Sequence, residues 1–88
     1  MATVFERVRD IVAETLVVSA SAVKLESSLG EGGLGADSLA KAELLMALED
    51  KFSTPERKVD VSDADAEQIK TIRDIVDYLE SKGITDEE

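Results

Sequence analysis

The sequence predicts an all-α fold, a small helical bundle of three main helices plus one short helix, joined by long loops. Apolar residues recur at three- and four-residue intervals over 4–16, 44–52 and 72–79, the spacing that marks one buried face of a helix. A residue suited to an N-cap, Thr3, Asp37 or Thr71, opens the helix that carries each of these stripes. Only two Phe and one Tyr occur in 88 residues, so the core of such a bundle is built from Val, Ile, Leu and Ala.

The first helix opens at Thr3, with Glu6 at capping-box spacing. Val4, Phe5, Val8, Ile11, Val12, Thr15 and Leu16 form its core stripe, and it ends around Leu16 or Val17. Residues 18–36 read as a long loop rich in Ser, Ala and Gly, anchored by Val23, Leu25, Leu29 and Leu34. A connection of this length is uncommon unless it is functional or pinned. Its Gly30-Glu31-Gly32-Gly33 stretch should loosen the approach to the next helix.

That helix runs from Ser38 to Phe52, with Asp37 as N-cap. At about 100° per residue, Leu44, Leu45, Leu48 and Phe52 gather on one side as a core stripe. Leu39, Ala42 and Met46 fall on the opposite side, among Glu43, Glu49 and Asp50. Folding alone gives no reason for this second, acid-rimmed apolar stripe. Single exposed apolar residues are normal on any protein, and Asp-Ser is common at helix starts, so each feature by itself also fits an ordinary solvated helix.

Ser53 to Val61, with the lone proline Pro55, reads as a linker. Ser62 then caps a short helix over about Asp63 to Ile69. Thr71 with Asp74 opens a last helix whose stripe is Ile72, Ile75, Val76 and Leu79, closed by Lys82 and Gly83. Residues 1–83 make one domain, and 84–88 read as a frayed tail. The acidic run from Asp60 to Glu67 does not fit a calcium loop. Counting from Asp60, the sixth position is Asp65 where Gly is needed, and the twelfth is Thr71 where Glu is needed.

Composition narrows function further. Twenty acids against ten bases give a net charge of −10, which disfavours nucleic acid and anionic membrane and favours basic protein surfaces. There is no cysteine for a disulfide or thiolate metal site, and no histidine to serve Ser38 as a base, so Ser-His-Asp hydrolysis is excluded. No apolar run approaches the roughly 18 residues of a membrane span, nor does the N-terminus look like a leader, so a soluble, unprocessed, cytoplasmic chain is the expectation. Ser38 is then a substrate for modification sooner than a catalyst.

The run Gly35-Ala36-Asp37-Ser38-Leu39, continued by Glu43-Leu44, Met46-Ala47-Leu48-Glu49 and Phe52, resembles the acyl carrier proteins, and the resemblance extends from Phe5 to about Leu79. It implies 4′-phosphopantetheine attached covalently to Ser38 and acyl groups carried on it as thioesters, for fatty-acid, polyketide or specialised lipid biosynthetic enzymes. It also implies a core able to part between helices around an acyl chain. Partner binding falls to Asp37, Leu39, Ala42, Glu43, Met46 and Glu49, and the implied partners are a phosphopantetheinyl transferase and acyl-transfer and synthase enzymes with basic docking patches. No catalytic or metal-binding residue is implied, and a monomer is expected.

Where family members usually have Gly, this chain has Val17. Ala40, Lys41 and Ala42 also depart from the pattern, which shrinks the apolar patch, dilutes its negative field and points to a specialised partner set. An aminoacyl or peptidyl carrier and an unmodified acidic helical adaptor are the alternative readings.

Overall fold

The computed structural model describes residues 3–30, 32–56 and 58–86. Its helices are α1 (Val4–Leu16), α2 (Ser38–Phe52), α3 (Asp63–Gln68) and α4 (Ile72–Ser81), with a single 3-10 turn at Ala20–Ala22. The described residues form no strand, only an isolated antiparallel bridge between Ser28 and Thr71. This is the three-plus-one helical arrangement read from the sequence.

Each helix starts where its side chains demand. Thr3 Oγ1 accepts the Glu6 N–H at 3.0 Å while Glu6 Oε1 accepts the Thr3 N–H at 2.9 Å, so two donors that α1 would leave without partners are satisfied reciprocally. Thr71 and Asp74 do the same for α4. Ser62 Oγ accepts the Asp65 N–H at 3.1 Å at the start of α3.

α1 is the hub, packing against both α2 and α4. It inserts Val4, Val8 and Val12 between Leu44, Leu48 and Phe52 of α2 and Ile72, Ile75 and Leu79 of α4, all fully or almost fully buried in one cluster. Burying each of these side chains contributes about 1.5–3 kcal/mol relative to leaving it in water. No polar or charged residue is buried among the described residues, so the core is entirely apolar. The Arg7 guanidinium lies 4.4 Å from the Phe52 ring centroid and covers its edge of the α1–α2 seam.

The long loop is pinned by apolar anchors and by the backbone. Val23 and Leu29 are buried, and Leu25 and Leu34 are partly so. Leu29 N–H donates to Lys70 O at 2.9 Å, Ile72 N–H to Ser27 O at 3.1 Å and Arg73 N–H to Leu25 O at 2.9 Å, tying the loop to the start of α4. The glycine stretch has a packing reason of its own. The Gly30 carbonyl accepts the N–H groups of Gly33 and Gly35, both at 3.0 Å, and a Cβ on Gly33 would lie 2.1 Å from the Ser28 carbonyl oxygen. Glu31, in the same stretch, lies outside the described residues, as does Arg57 of the α2–α3 linker.

α1 and α4 end alike on different residues. After α4, Gly83 takes φ 88°. Its N–H donates to Glu80 O at 3.0 Å, and the Ile84 N–H donates to Leu79 O at 3.1 Å, a Schellman closure. After α1, Val17 takes the same left-handed turn at φ 55°, ψ 52°, and the Val18 N–H donates to Ala13 O at 3.0 Å. Val17 is the one non-glycine with positive φ among the described residues.

The α4 closure corrects the frayed-tail expectation at its first residues. Ile84 is 8% exposed and belongs to the core, because the turn at Gly83 folds it back over Leu79. Asp86 Oδ1 accepts the Val4 N–H at 2.8 Å, at the start of α1. Glu87 and Glu88 lie outside the described residues.

Candidate functional site

Ser38 is the first residue of α2 and is exposed. The preceding Asp37 is extended, with φ −80° and ψ −175°, and its Oδ1 accepts the Ala40 N–H at 2.8 Å. Its backbone carbonyl accepts the Lys41 N–H at 2.9 Å. This cap leaves the Ser38 hydroxyl outside the first turn, at the positive end of a 15-residue helix and without a hydrogen-bond partner among the described residues.

The two faces of α2 separate as its spacing requires. Leu44, Leu45, Leu48 and Phe52 are buried, whereas Leu39 is 67% and Met46 60% exposed. Ala42 and Glu43 are exposed beside them.

A groove of about 320 Å³ runs from Ser38 between α2 and the α3 segment. Ala42, Leu45 and Met46 form one wall, and Val61 and Ala66 face them. Two side chains of α2 reach across it. Lys41 Nζ donates to the Ala66 carbonyl at 2.6 Å near the Ser38 end, and Glu49 Oε2 accepts the Val61 N–H at 2.6 Å at the far end. They stand eight residues apart on α2, about 12 Å along its axis. α3 itself buries no residue, so these two polar ties, with Ala66 and the buried Ile69, hold it to the body. Tyr78 adds a brace from α4, donating its hydroxyl to Asp60 O at 3.3 Å. Burial, then the nearby Asp65, Asp60 and Glu49 carboxylates, push its phenol above the usual range.

A second hollow of about 300 Å³ lies on the other side of Lys41, bordered by Asp37, Ser38, Gly30 and Lys70. Ser38 therefore opens onto two hollows that Lys41 divides.

A family model described as "Phosphopantetheine attachment site" matches residues 6–79. The acyl carrier protein of Campylobacter concisus (strain 13826) is 51% identical over 80 residues, covering 91% of this chain and 96% of the relative. The acyl carrier protein of Campylobacter curvus (strain 525.92) is 49% identical over 80 residues with the same coverage, and that of Campylobacter hominis is 47% identical over 78 residues, covering 89% and 91%. This chain belongs to the acyl carrier protein family.

Membership makes it a carrier and not an enzyme, with covalent phosphopantetheine as the family's cofactor. The residues present fit that group: an exposed serine hydroxyl at a helix N-terminus accommodates a phosphodiester, and the adjoining apolar groove accommodates a chain attached beyond it. In an acyl carrier, the sequence-derived positions then divide into two sets. Ser38, Ala42, Met46 and Glu49 border the groove, while Asp37, Leu39 and Glu43 are exposed without bordering it. Glu49 is half-buried and turned toward the linker, so its carboxylate is engaged within the fold.

Lys41, read from the sequence as a cation diluting the negative field, is half-buried and tied to Ala66. Val61 and Ala66, the opposite wall, were absent from the sequence-derived site. Val61 had no periodic partner in a charged linker, and Ala66 carried no signal beyond its place in a short helix.

Proposed function

We propose that Ser38 is the phosphopantetheine attachment point of this carrier, and that the α2–α3 groove shelters the acyl chain it bears. The observation that supports this most is the placement of the one exposed hydroxyl of the Asp37-Ser38-Leu39 motif at the mouth of that apolar groove. When bound, the cofactor supplies the terminal thiol on which acyl groups travel as thioesters. The chain's own residues do the rest. Asp37 fixes the first turn so that Ser38 Oγ faces outward, and the α2 dipole favours the negative charge placed there. Leu45, Met46, Val61 and Ala66 offer apolar contact to the cargo.

Leu39 and Met46, with Asp37, Ala42 and Glu43 around them, form the surface that meets a phosphopantetheinyl transferase and acyl-transfer or synthase enzymes. Exposed apolar side chains fill shallow partner pockets, while Glu43 meets basic side chains and steers the encounter. The net charge of −10 suits partners with Lys/Arg patches, acting in the cytoplasm on a monomeric carrier. Reversible docking of a tethered substrate raises its effective concentration at each enzyme in turn.

The test is an acylation series. Carriers loaded with chains of increasing length are compared by the methyl resonances of Leu45, Met46, Val61 and Ala66, with Leu79 in the closed core as reference. Length-dependent shifts confined to the groove set are expected, and shifts absent or spread equally to Leu79 would refute the groove assignment.

A further inference from the structure

Lys41 holds a place that its neighbours make unusual. It is the only cation among the described residues bordering the groove, which also include the acids Glu49, Asp63 and Glu67. Its ammonium nonetheless bonds to a neutral acceptor, the Ala66 carbonyl, at 2.6 Å across 25 residues of sequence. That carbonyl already accepts the Ile69 N–H at 3.2 Å. Lys41 also stands three positions after Ser38 on the same helix, where side chains are neighbours with Cβ atoms about 5–6 Å apart. Both residues border both hollows.

We propose that Lys41 is a positioning residue with two alternative acceptors. In the unmodified protein it straps α3 across the Ser38 end of the groove. Once Ser38 carries a phosphodiester, the ammonium moves to that anion, fixing the attached arm beside the groove and freeing the Ser38 end of α3. This rests on Ser38 being the attachment point.

The direction of exchange follows from the acceptors. Both bonds have an ionised donor, but a phosphodiester oxygen adds the attraction of a full opposite charge, whereas a carbonyl presents only a partial one. The flexible four-carbon stem of lysine lets the charge move while the backbone of α2 stays in place. On the other side of the exchange, α3 has six residues, none buried, and the Lys41 bond ties it directly to α2 while the Glu49 bond ties only the linker before it, so loss of the Lys41 bond is felt in α3 first. The Glu49–Val61 tie at the far end is untouched and acts as the hinge side. Opening therefore begins beside Ser38, where a chain attached there has to enter.

The experiment measures amide hydrogen exchange at Ala66 and Ile69 in the parent chain, Lys41→Met and Lys41→Arg. Each is prepared unmodified and after incubation with coenzyme A and a phosphopantetheinyl transferase, and the 31P resonance of the modified forms is recorded. In the parent, modification should speed exchange at these two amides several-fold. Lys41→Met should exchange fast in both states and shift the 31P resonance, and Lys41→Arg should restore the dependence on modification. Equal exchange in the two states of the parent, or the same modification-dependent change in Lys41→Met, would overturn the proposal. Intact mass separates its failure from that of the attachment assignment. If Ser38 takes no group, the acceptor exchange falls with that assignment, while slow exchange in the unmodified parent and fast exchange in unmodified Lys41→Met would still establish the strap.

Discussion

Glu49 Oε2 accepts the backbone N–H of Val61 at 2.6 Å, tying the middle of α2 to the linker that leads into α3. The bond gives the linker a fixed path and engages the Glu49 carboxylate within the fold. A hydrogen bond to a charged group contributes about 1.5–3 kcal/mol where it is sheltered, and less where water competes. Glu49→Ala should therefore lower stability by about 1–2 kcal/mol in chemical denaturation, with Glu49→Gln losing less because its amide oxygen still accepts. Glu43→Ala, at an exposed position, should change stability by no more than about 0.5 kcal/mol.

Val17 closes α1 in a left-handed conformation while 87% exposed, so its side chain gains almost nothing from burial to offset the strain. For an L-residue this conformation costs roughly 1–2 kcal/mol, and glycine escapes it at a smaller entropic cost. Val17→Gly should raise stability by about 1 kcal/mol, seen as a higher denaturation midpoint at unchanged slope. Gly83→Val at the matching turn after α4 should do the reverse.

Gly33 and Gly30 sit in one loop and make opposite demands. A Cβ on Gly33 would meet the Ser28 carbonyl oxygen at 2.1 Å, whereas one on Gly30 would meet nothing within 4 Å. Gly33→Ala should cost about 1–3 kcal/mol through displaced backbone, and Gly30→Ala should be close to neutral. Parallel thermal melts of the two variants check this.

Asp74 links stability to pH. Its Oδ2 accepts the Lys70 N–H at 2.9 Å and the Thr71 N–H at 3.1 Å, and these bonds, the one from Lys70 first, hold its carboxyl below the usual value of 3.8. A depressed folded pKa gives stability that is complete above the unfolded value and lost as pH falls through the folded one. The stability gap between parent and Asp74→Asn should accordingly be constant above about pH 5 and shrink as pH falls below about 4. A gap that widens with acid would contradict the assignment.

The helices were legible because their signals are local. Thr3 with Glu6, Asp37, Ser62, and Thr71 with Asp74 all act within one turn of the backbone they cap, and the two-sided pattern of α2 follows from its own spacing. Ile84 escaped because a lone apolar residue after a glycine has no periodic partner, and its burial depends on the turn that Gly83 makes. Lys41 and Glu49 escaped for a different reason. Their acceptor and donor lie 25 and 12 residues away, and no spacing rule reports where α3 will sit against α2. The exposed half of the candidate site could thus be read from helical periodicity, while the groove wall opposite it emerged only from tertiary placement.

The central claim is that Ser38 at the start of α2 is the attachment point, and intact mass tests it most directly. Parent and Ser38→Ala are incubated with coenzyme A and a broad-specificity phosphopantetheinyl transferase, with circular dichroism showing both to be helical. The expected result is a gain of one phosphopantetheinyl group by the parent and none by the variant. A gain by Ser38→Ala, or none by a folded parent, would contradict it.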